Sequence, residues 1–237
     1  MSGTLALVGS GEFLETMRPI DALLLERAKP EGRAHVVVIP TAAIPDGPQV
    51  VERWASMGRA HFAALGATVD VVVIGAAAQA SDPAVAQRIA AADLVYMSGG
   101  KPRFLLNALQ GTAAWAAVLA VYARGGVLAG CSAGAMVLGE SLLGPPQLAF
   151  SRSRRKARSA FGLVPISMVI PHYDALPTFL RALVLRILPA DRTVLGIDED
   201  TALVQDGEAW QVLGRGGVEL RRARTRTRFA SGERLAL

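Results

Sequence analysis

Cysteine is nearly absent. The single Cys131 among 237 residues has no partner for an internal disulfide and fits a reducing compartment. Histidine is almost as scarce, at His35, His61 and His172. With one cysteine, these scattered residues give no cluster at metal-ligand spacing, so we assign no metal and no cofactor. Aromatic residues make up 5% of a chain that is 51% apolar, so the core must come from Ala, Val, Leu and Ile. That is the composition of parallel strands covered by helices. No apolar run reaches the roughly 18 residues of a membrane span, and no basic segment followed by an apolar stretch and a cleavage site opens the chain. A cytoplasmic protein without membrane contact is expected. The net charge of +5 comes from arginines concentrated at 152–158 and 221–228. Neither patch has aromatics interleaved for stacking on bases, so solvated segments are expected rather than a nucleic-acid surface.

What is present is a regular alternation of strand and helix patterns. Residues 4–8 read as a strand that ends in Gly9-Ser10-Gly11-Glu12, which looks like a dinucleotide loop but lacks a third glycine at the required spacing. Helix is expected at 15–28, strand at 34–39, helix at 50–65 and strand at 68–74. Asp82-Pro83 supplies an N-cap and a first-turn proline for a further helix. A strand at 93–97 ends in Ser98-Gly99-Gly100, and helices at 102–109 and 113–124 lead to the run Val127-Leu128-Ala129. This alternation implies a doubly wound, mainly parallel sheet, with ligands beyond the carboxyl ends of the strands. Gly9-Ser10-Gly11, Pro40-Thr41, Ser98-Gly99-Gly100 and Gly130-Cys131-Ser132 all fall at those ends.

Beyond Gly139 the pattern loosens. Gly144-Pro145-Pro146 and the arginine-rich run to Ser159 read as a mobile connection. A strand at 167–171 delivers His172, an amphipathic helix is expected through Leu176, Phe179, Leu183 and Leu188, and 194–197 is read as the last core strand. Short strands at 201–205, 209–213 and 218–229 are expected to form a small antiparallel extension. Within it, Arg222, Arg224, Arg226 and Arg228 alternate, making one strand face basic and guarding an exposed edge. We find no internal repeat and no linker, so 1–237 is read as one domain, with 200–237 its β extension.

The chemistry centres on Gly130-Cys131-Ser132-Ala133-Gly134. A Gly-x-Ser-x-Gly turn between a buried strand and a helix is the pattern of a nucleophile elbow. The turn is tight, so flanking side chains must be small, and the N–H groups at the start of the following helix suit a developing oxyanion. A serine hydroxyl needs a base. His35 opens a strand at the amino end and His61 falls inside a helix, which leaves His172, at a strand's carboxyl end, on the side of Ser132. The acid that orients it could be Asp198, Glu199 or Asp200, with Glu199 preferred, or Asp174 two residues after the histidine. The order Ser, His, acid disfavours the ordinary α/β-hydrolase, which runs Ser, acid, His. Ser132, His172 and the acid are expected to meet above one rim of one sheet.

Gly-Cys-Ser-Ala-Gly-Ala, the upstream Ser-Gly-Gly, Pro-His-Tyr and Gly-Ile-Asp-Glu-Asp-Thr-Ala-Leu, in that order, resemble the serine peptidase family of aspartyl dipeptidase (peptidase E) and cyanophycinase over about residues 4–213. The resemblance implies a class I glutamine amidotransferase-like fold, a flavodoxin-like three-layer sandwich. It also implies a triad of Ser132, His172 and Glu199, with Asp174 as the alternative acid, and an oxyanion hole made by the backbone N–H groups of Gly100 and Ala133. Cys131 is then a buried neighbour. Substrate contacts would fall to Gly99, Lys101 and Arg181. Relatives usually carry Asn, Asp or Gln where this chain has Lys101, and of the arginines that follow the histidine in cyanophycinases only Arg181 is matched. The expected function is hydrolysis of an amide bond in a small peptide through an acyl-enzyme on Ser132, by a monomer or homodimer. A non-catalytic binding member of the same fold is the alternative.

Overall fold

The structure is a computed structural model that describes residues 3–142, 158–177, 179, 181, 191–223 and 225–237. Apolar runs form β1 (Thr4–Val8), β2 (His35–Ile39), β3 (Thr68–Val71), β4 (Leu94–Met97) and β5 (Val127–Cys131). They pair in parallel in the order β1-β5-β4-β2-β3. Alternate residues face opposite sides. Ala6, Val8, Val36, Val38, Tyr96 and Ala129 pack beneath α1 (Arg18–Ala28) and α2 (Pro48–Ala64). Leu5, Leu7, Val37, Val95, Met97 and Leu128 face the other layer, formed by α3 (Ala77–Ala80), α4 (Pro83–Ala90), α5 (Pro102–Leu109), α6 (Ala113–Ala123) and α7 (Ala133–Leu138). The result is the expected three-layer α/β sandwich.

Local chemistry sets the helix starts. Asp82 accepts the Ala84 N–H at 2.8 Å, Thr112 accepts the Trp115 N–H at 3.3 Å, and a proline sits in the first turn of α1, α2, α4 and α5. Among the described residues, no single helix is long and apolar enough to cross a membrane.

The second half departs from expectation. β6 (Ser141–Leu142) and β7 (Arg158–Ser159) form a small ribbon. β8 (Met168–Ile170) and β9 (Val194–Ile197) do not extend the parallel sheet. They pair with each other and with the hairpin β12 (Gly217–Arg222) and β13 (Thr225–Ala230), giving a second sheet in the order β13-β12-β9-β8. β10 (Thr201–Asp206) instead takes the place beside β1, antiparallel, followed outward by β11 (Ala209–Gly214) and β14 (Arg234–Leu235). The chain reverses at 198–200, where Asp200 has φ 50°, so the strands before and after the turn enter different sheets. The stretch 218–229, expected as one strand, folds back at Ala223 (φ 52°). Arg222 therefore lies on β12, while Arg226 and Arg228 lie on the edge strand β13. Residues 152–157 of the arginine-rich run, Arg224 and most of the helix expected after Leu176 lie outside the described residues.

Register gathers the active ends. Val8 lies opposite Cys131 and Met97 opposite Gly130, so the loops leaving β1, β4 and β5 start side by side.

Candidate active site

Ser132 leaves β5 with φ 49° and ψ −106°, a conformation that costs a non-glycine residue on the order of 1–3 kcal/mol. Its N–H donates to the Val8 carbonyl at 2.9 Å, which ties the turn to the neighbouring strand. The flanking glycines are there because backbone passes too close for anything larger. A Cβ on Gly130 would lie 2.5 Å from the Gly134 carbonyl, and one on Gly134 would lie 2.4 Å from the Met97 carbonyl oxygen. α7 has only 6 residues, so the individual N–H of Ala133 matters more here than any helix dipole.

The partners of Ser132 come from the second sheet. β8 delivers Pro171 and then His172, whose φ of 52° turns its ring back over the elbow. Tyr173 fixes that turn: its N–H donates to the Ile197 carbonyl at 3.0 Å and its ring packs against the backbone of Gly196. His172 Nε2 lies 3.1 Å from Ser132 Oγ, and its Nδ1 lies 2.7 Å from Glu199 Oε1. With hydrogen on Nδ1, the ring donates to the carboxylate and accepts the serine hydroxyl.

The acid candidates are thereby sorted. Asp174 does not reach the imidazole; its Oδ1 accepts the Glu199 N–H at 2.8 Å and holds that residue's backbone. Asp198 is buried, accepting the Gly217 N–H at 2.9 Å and an ion pair from Arg228. Asp200 faces Arg215 at 3.8 Å. The side chains of His172 and Glu199 are 43% and 46% exposed, so their ionic attraction is screened and orientation through the hydrogen bond is the larger effect. The three residues do meet, but across two sheets rather than on one rim.

The loop after β4 forms the other wall. Gly100 has φ 136°, and a Cβ there would lie 2.3 Å from the Ala42 carbonyl oxygen, so only glycine fits. Lys101 N–H donates to that same carbonyl at 2.7 Å, and its ammonium pairs with Asp46 at 2.9 Å. Among the hydrogen bonds of the described residues, none has the N–H of Gly100 or Ala133 as donor. Gly99 lies against the nucleophile: a Cβ on it would be 3.2 Å from Ser132 Cβ. Arg181 sits beside the histidine loop, its guanidinium carbon 5.4 Å from the centre of the Tyr173 ring. The remaining histidines stand apart. His35 Nδ1 lies 3.1 Å from the Ala91 carbonyl, and buried His61 bonds Asp21 at 2.8 Å. No group of three His, Cys, Asp or Glu among the described residues could hold a metal ion.

Glu12 is the residue that the sequence pattern conceals. It is buried, 5% exposed, and accepts from the Gly99 N–H at 2.8 Å and from the Cys131 thiol at 3.0 Å. The available signal was an acid in a glycine-containing loop at the end of the strand next to the elbow. Burial, and then the Glu12 carboxylate, push the Cys131 thiol well above its ordinary range. It therefore stays protonated and is no rival nucleophile.

The model of peptidase family S51 matches residues 5–213. This chain belongs to peptidase family S51. It is 28% identical over 196 residues to the cyanophycinase of Trichormus variabilis, an alignment that spans 79% of this chain and 63% of that protein. It is 30% identical over 156 residues to the cyanophycinase of Synechococcus elongatus, spanning 64% of this chain and 48% of the relative. The chain thus covers less than two thirds of the length of these cyanophycinases. Over its whole length it is similar to a peptidase from an acI-B1 Actinobacterium, at 33% identity and a TM-score of 0.88, covering 98% of that chain. The S51 match begins within β1 and ends in β11, so it takes in the elbow, His172 and Glu199.

Proposed function

We propose that this chain is a serine-type hydrolase that cleaves an amide bond of a small peptide through an acyl-enzyme on Ser132. The observation that carries this reading is the unbroken hydrogen-bonded line from Ser132 Oγ through His172 to Glu199, built from separate elements and aimed at a strained serine. His172 takes the hydroxyl proton as Ser132 attacks the carbonyl carbon, with Glu199 stabilising the imidazolium. The tetrahedral oxyanion is received by the N–H groups of Gly100 and Ala133. His172 then protonates the departing amine, and later takes a proton from the water that hydrolyses the ester. The proton lost with the amine is replaced by the one from water, which His172 returns to Ser132 Oγ as the acyl–oxygen bond breaks, so the cycle closes on the triad's own groups. The reading places the protein in the cytoplasm, where Cys131 stays reduced. We assign a peptide carboxylate to Lys101, which now pairs with Asp46, and to Arg181, which lies by the Tyr173 ring next to the base.

A fluorophosphonate probe tests the chemistry directly. Wild type should label stoichiometrically at Ser132, and Ser132→Ala and His172→Ala should each lose on the order of 1000-fold or more in labelling rate. A folded wild type that does not label would instead support a non-catalytic binding protein on the same fold. Profiling a dipeptide library with wild type and Ser132→Ala would then identify the substrate class.

A further inference from the structure

A carboxylate buried beside a nucleophile needs an explanation, because taking it out of water costs several kcal/mol unless its oxygens are well bonded. Glu12 bonds two donors, and they come from the two halves of the site. Oε1 accepts the N–H of Gly99, the residue before Gly100; Oε2 accepts the thiol of Cys131, the residue before Ser132. Glu12 itself lies in the loop after β1, the strand whose Val8 carbonyl holds the Ser132 N–H. One side chain therefore joins the loop after β1, the loop after β4 and the elbow after β5. Nothing else is bonded to the Gly99 N–H among the described residues, and a Cβ added to that glycine would lie 3.2 Å from Ser132 Cβ, so the loop passes beside the nucleophile with no side chain between them. Cys131 is fully buried and keeps its proton, so it is a permanent donor to the carboxylate.

We propose that Glu12 is a positioning residue that clamps the Ser98–Gly100 loop onto the Ser132 elbow, setting the distance between the nucleophile and the Gly100 N–H. This rests on the hydrolase reading for its catalytic consequence, but not for its structural content. Losing the clamp leaves the Gly99 N–H buried without an acceptor, so the loop moves to satisfy it and carries Gly100 with it. A displacement of that kind affects the transition state more than binding.

Two measurements decide it. Amide hydrogen exchange, followed by NMR, should speed up at least 10-fold at Gly99, whose N–H the Glu12 carboxylate accepts, in Glu12→Met, with helices α2 and α6 keeping wild-type protection. In fluorophosphonate labelling, Glu12→Met should lower kinact at least 10-fold with KI within twofold, whereas Glu12→Gln, which keeps one acceptor for Gly99, should recover to within about fivefold of wild type. Wild-type exchange at Gly99 together with kinact within twofold of wild type in Glu12→Met would overturn the proposal. A general loss of protection, with kinact and KI moving together, would reduce Glu12 to core packing and also overturn it. If Glu12→Met does not fold, Cys131→Ser and Cys131→Ala decide. The serine, which retains a donor, should label within threefold of wild type and faster than the alanine; equal rates would sink the clamp. Wild type that fails to label would end the hydrolase reading, while the exchange data would still judge the clamp on its own.

Discussion

Ser132 sits in backbone geometry that a free chain avoids, and the surroundings hold it there. Two close backbone contacts, at Gly130 and Gly134, leave no space for a side chain, so the elbow can close tightly. Gly134→Ala would put a methyl against the Met97 carbonyl. We expect it to lose at least ~2 kcal/mol of stability by overpacking, measured by urea unfolding, and to lose labelling at Ser132 even where folded protein is recovered. The acids differ in the same measurable way. Glu199 bonds the imidazole and Asp174 bonds only the Glu199 backbone. Glu199→Gln should therefore cost on the order of 100- to 10,000-fold in kcat, by analogy with the tautomer error in serine proteases. Asp174→Asn, which keeps an acceptor oxygen, should cost about 10-fold or less. Steady-state kinetics on any cleaved dipeptide would check the order, and the reverse order would make Asp174 the acid.

The hairpin β12–β13 supports the triad from behind, through charges rather than apolar packing alone. Asp198, immediately before Glu199, is held by the Gly217 N–H and by Arg228 on β13. Arg228→Met would leave this buried carboxylate without its cation. We expect a loss of about 1–3 kcal/mol and a fall in kcat larger than the change in KM, as the 198–200 turn loosens. Alongside, Glu219 on β12 accepts two bonds from Arg226 at 2.9 Å and one from the Tyr173 hydroxyl. Burial works to raise the Glu219 carboxyl, but these partners hold it below its ordinary value of 4.5. The Tyr173 phenol, buried and donating to that carboxylate, is pushed up to about 12. Tyr173 follows His172 directly, so this cluster anchors the base as Asp198 anchors the acid. Arg226 and Arg228 thus hold specific carboxylates besides guarding an edge.

Across the whole molecule, carboxylates held low by arginines link stability to acid. Asp70 is kept below its ordinary 3.8, first by its hydrogen bond to Arg88, and Glu219 below 4.5 by Arg226. For a group whose folded pKa is depressed, the unfolded chain binds more protons in the window between the two values, so stability rises with pH there. The contribution is complete above about pH 4.5 and disappears as pH falls through the folded values. Glu219→Gln should therefore lower Tm at pH 7, and the gap to wild type should close progressively below about pH 4.5, in thermal melts across roughly pH 3–7. A gap that is constant with pH would mean that Glu219 acts by packing.

Much of this protein is legible from residue order alone. The parallel strands and their helices follow from continuous apolar runs, caps and prolines, because these signals act within a few residues of where they occur. Ser132 and His172 are likewise marked by a local turn pattern and by a strand end that only one histidine occupies, and Glu199 stands among few candidates. Tertiary structure decided the rest. The runs 194–197 and 201–206 are both apolar, and periodicity cannot say which sheet edge each will join. The reversal at Asp200 and the free edge of β1 settle that. Nor does anything near Glu12 in sequence reveal its role, since its donors lie 87 and 119 residues away. A hydrogen bond of that reach exists only once the strands are in register, and register is a property of the folded sheet.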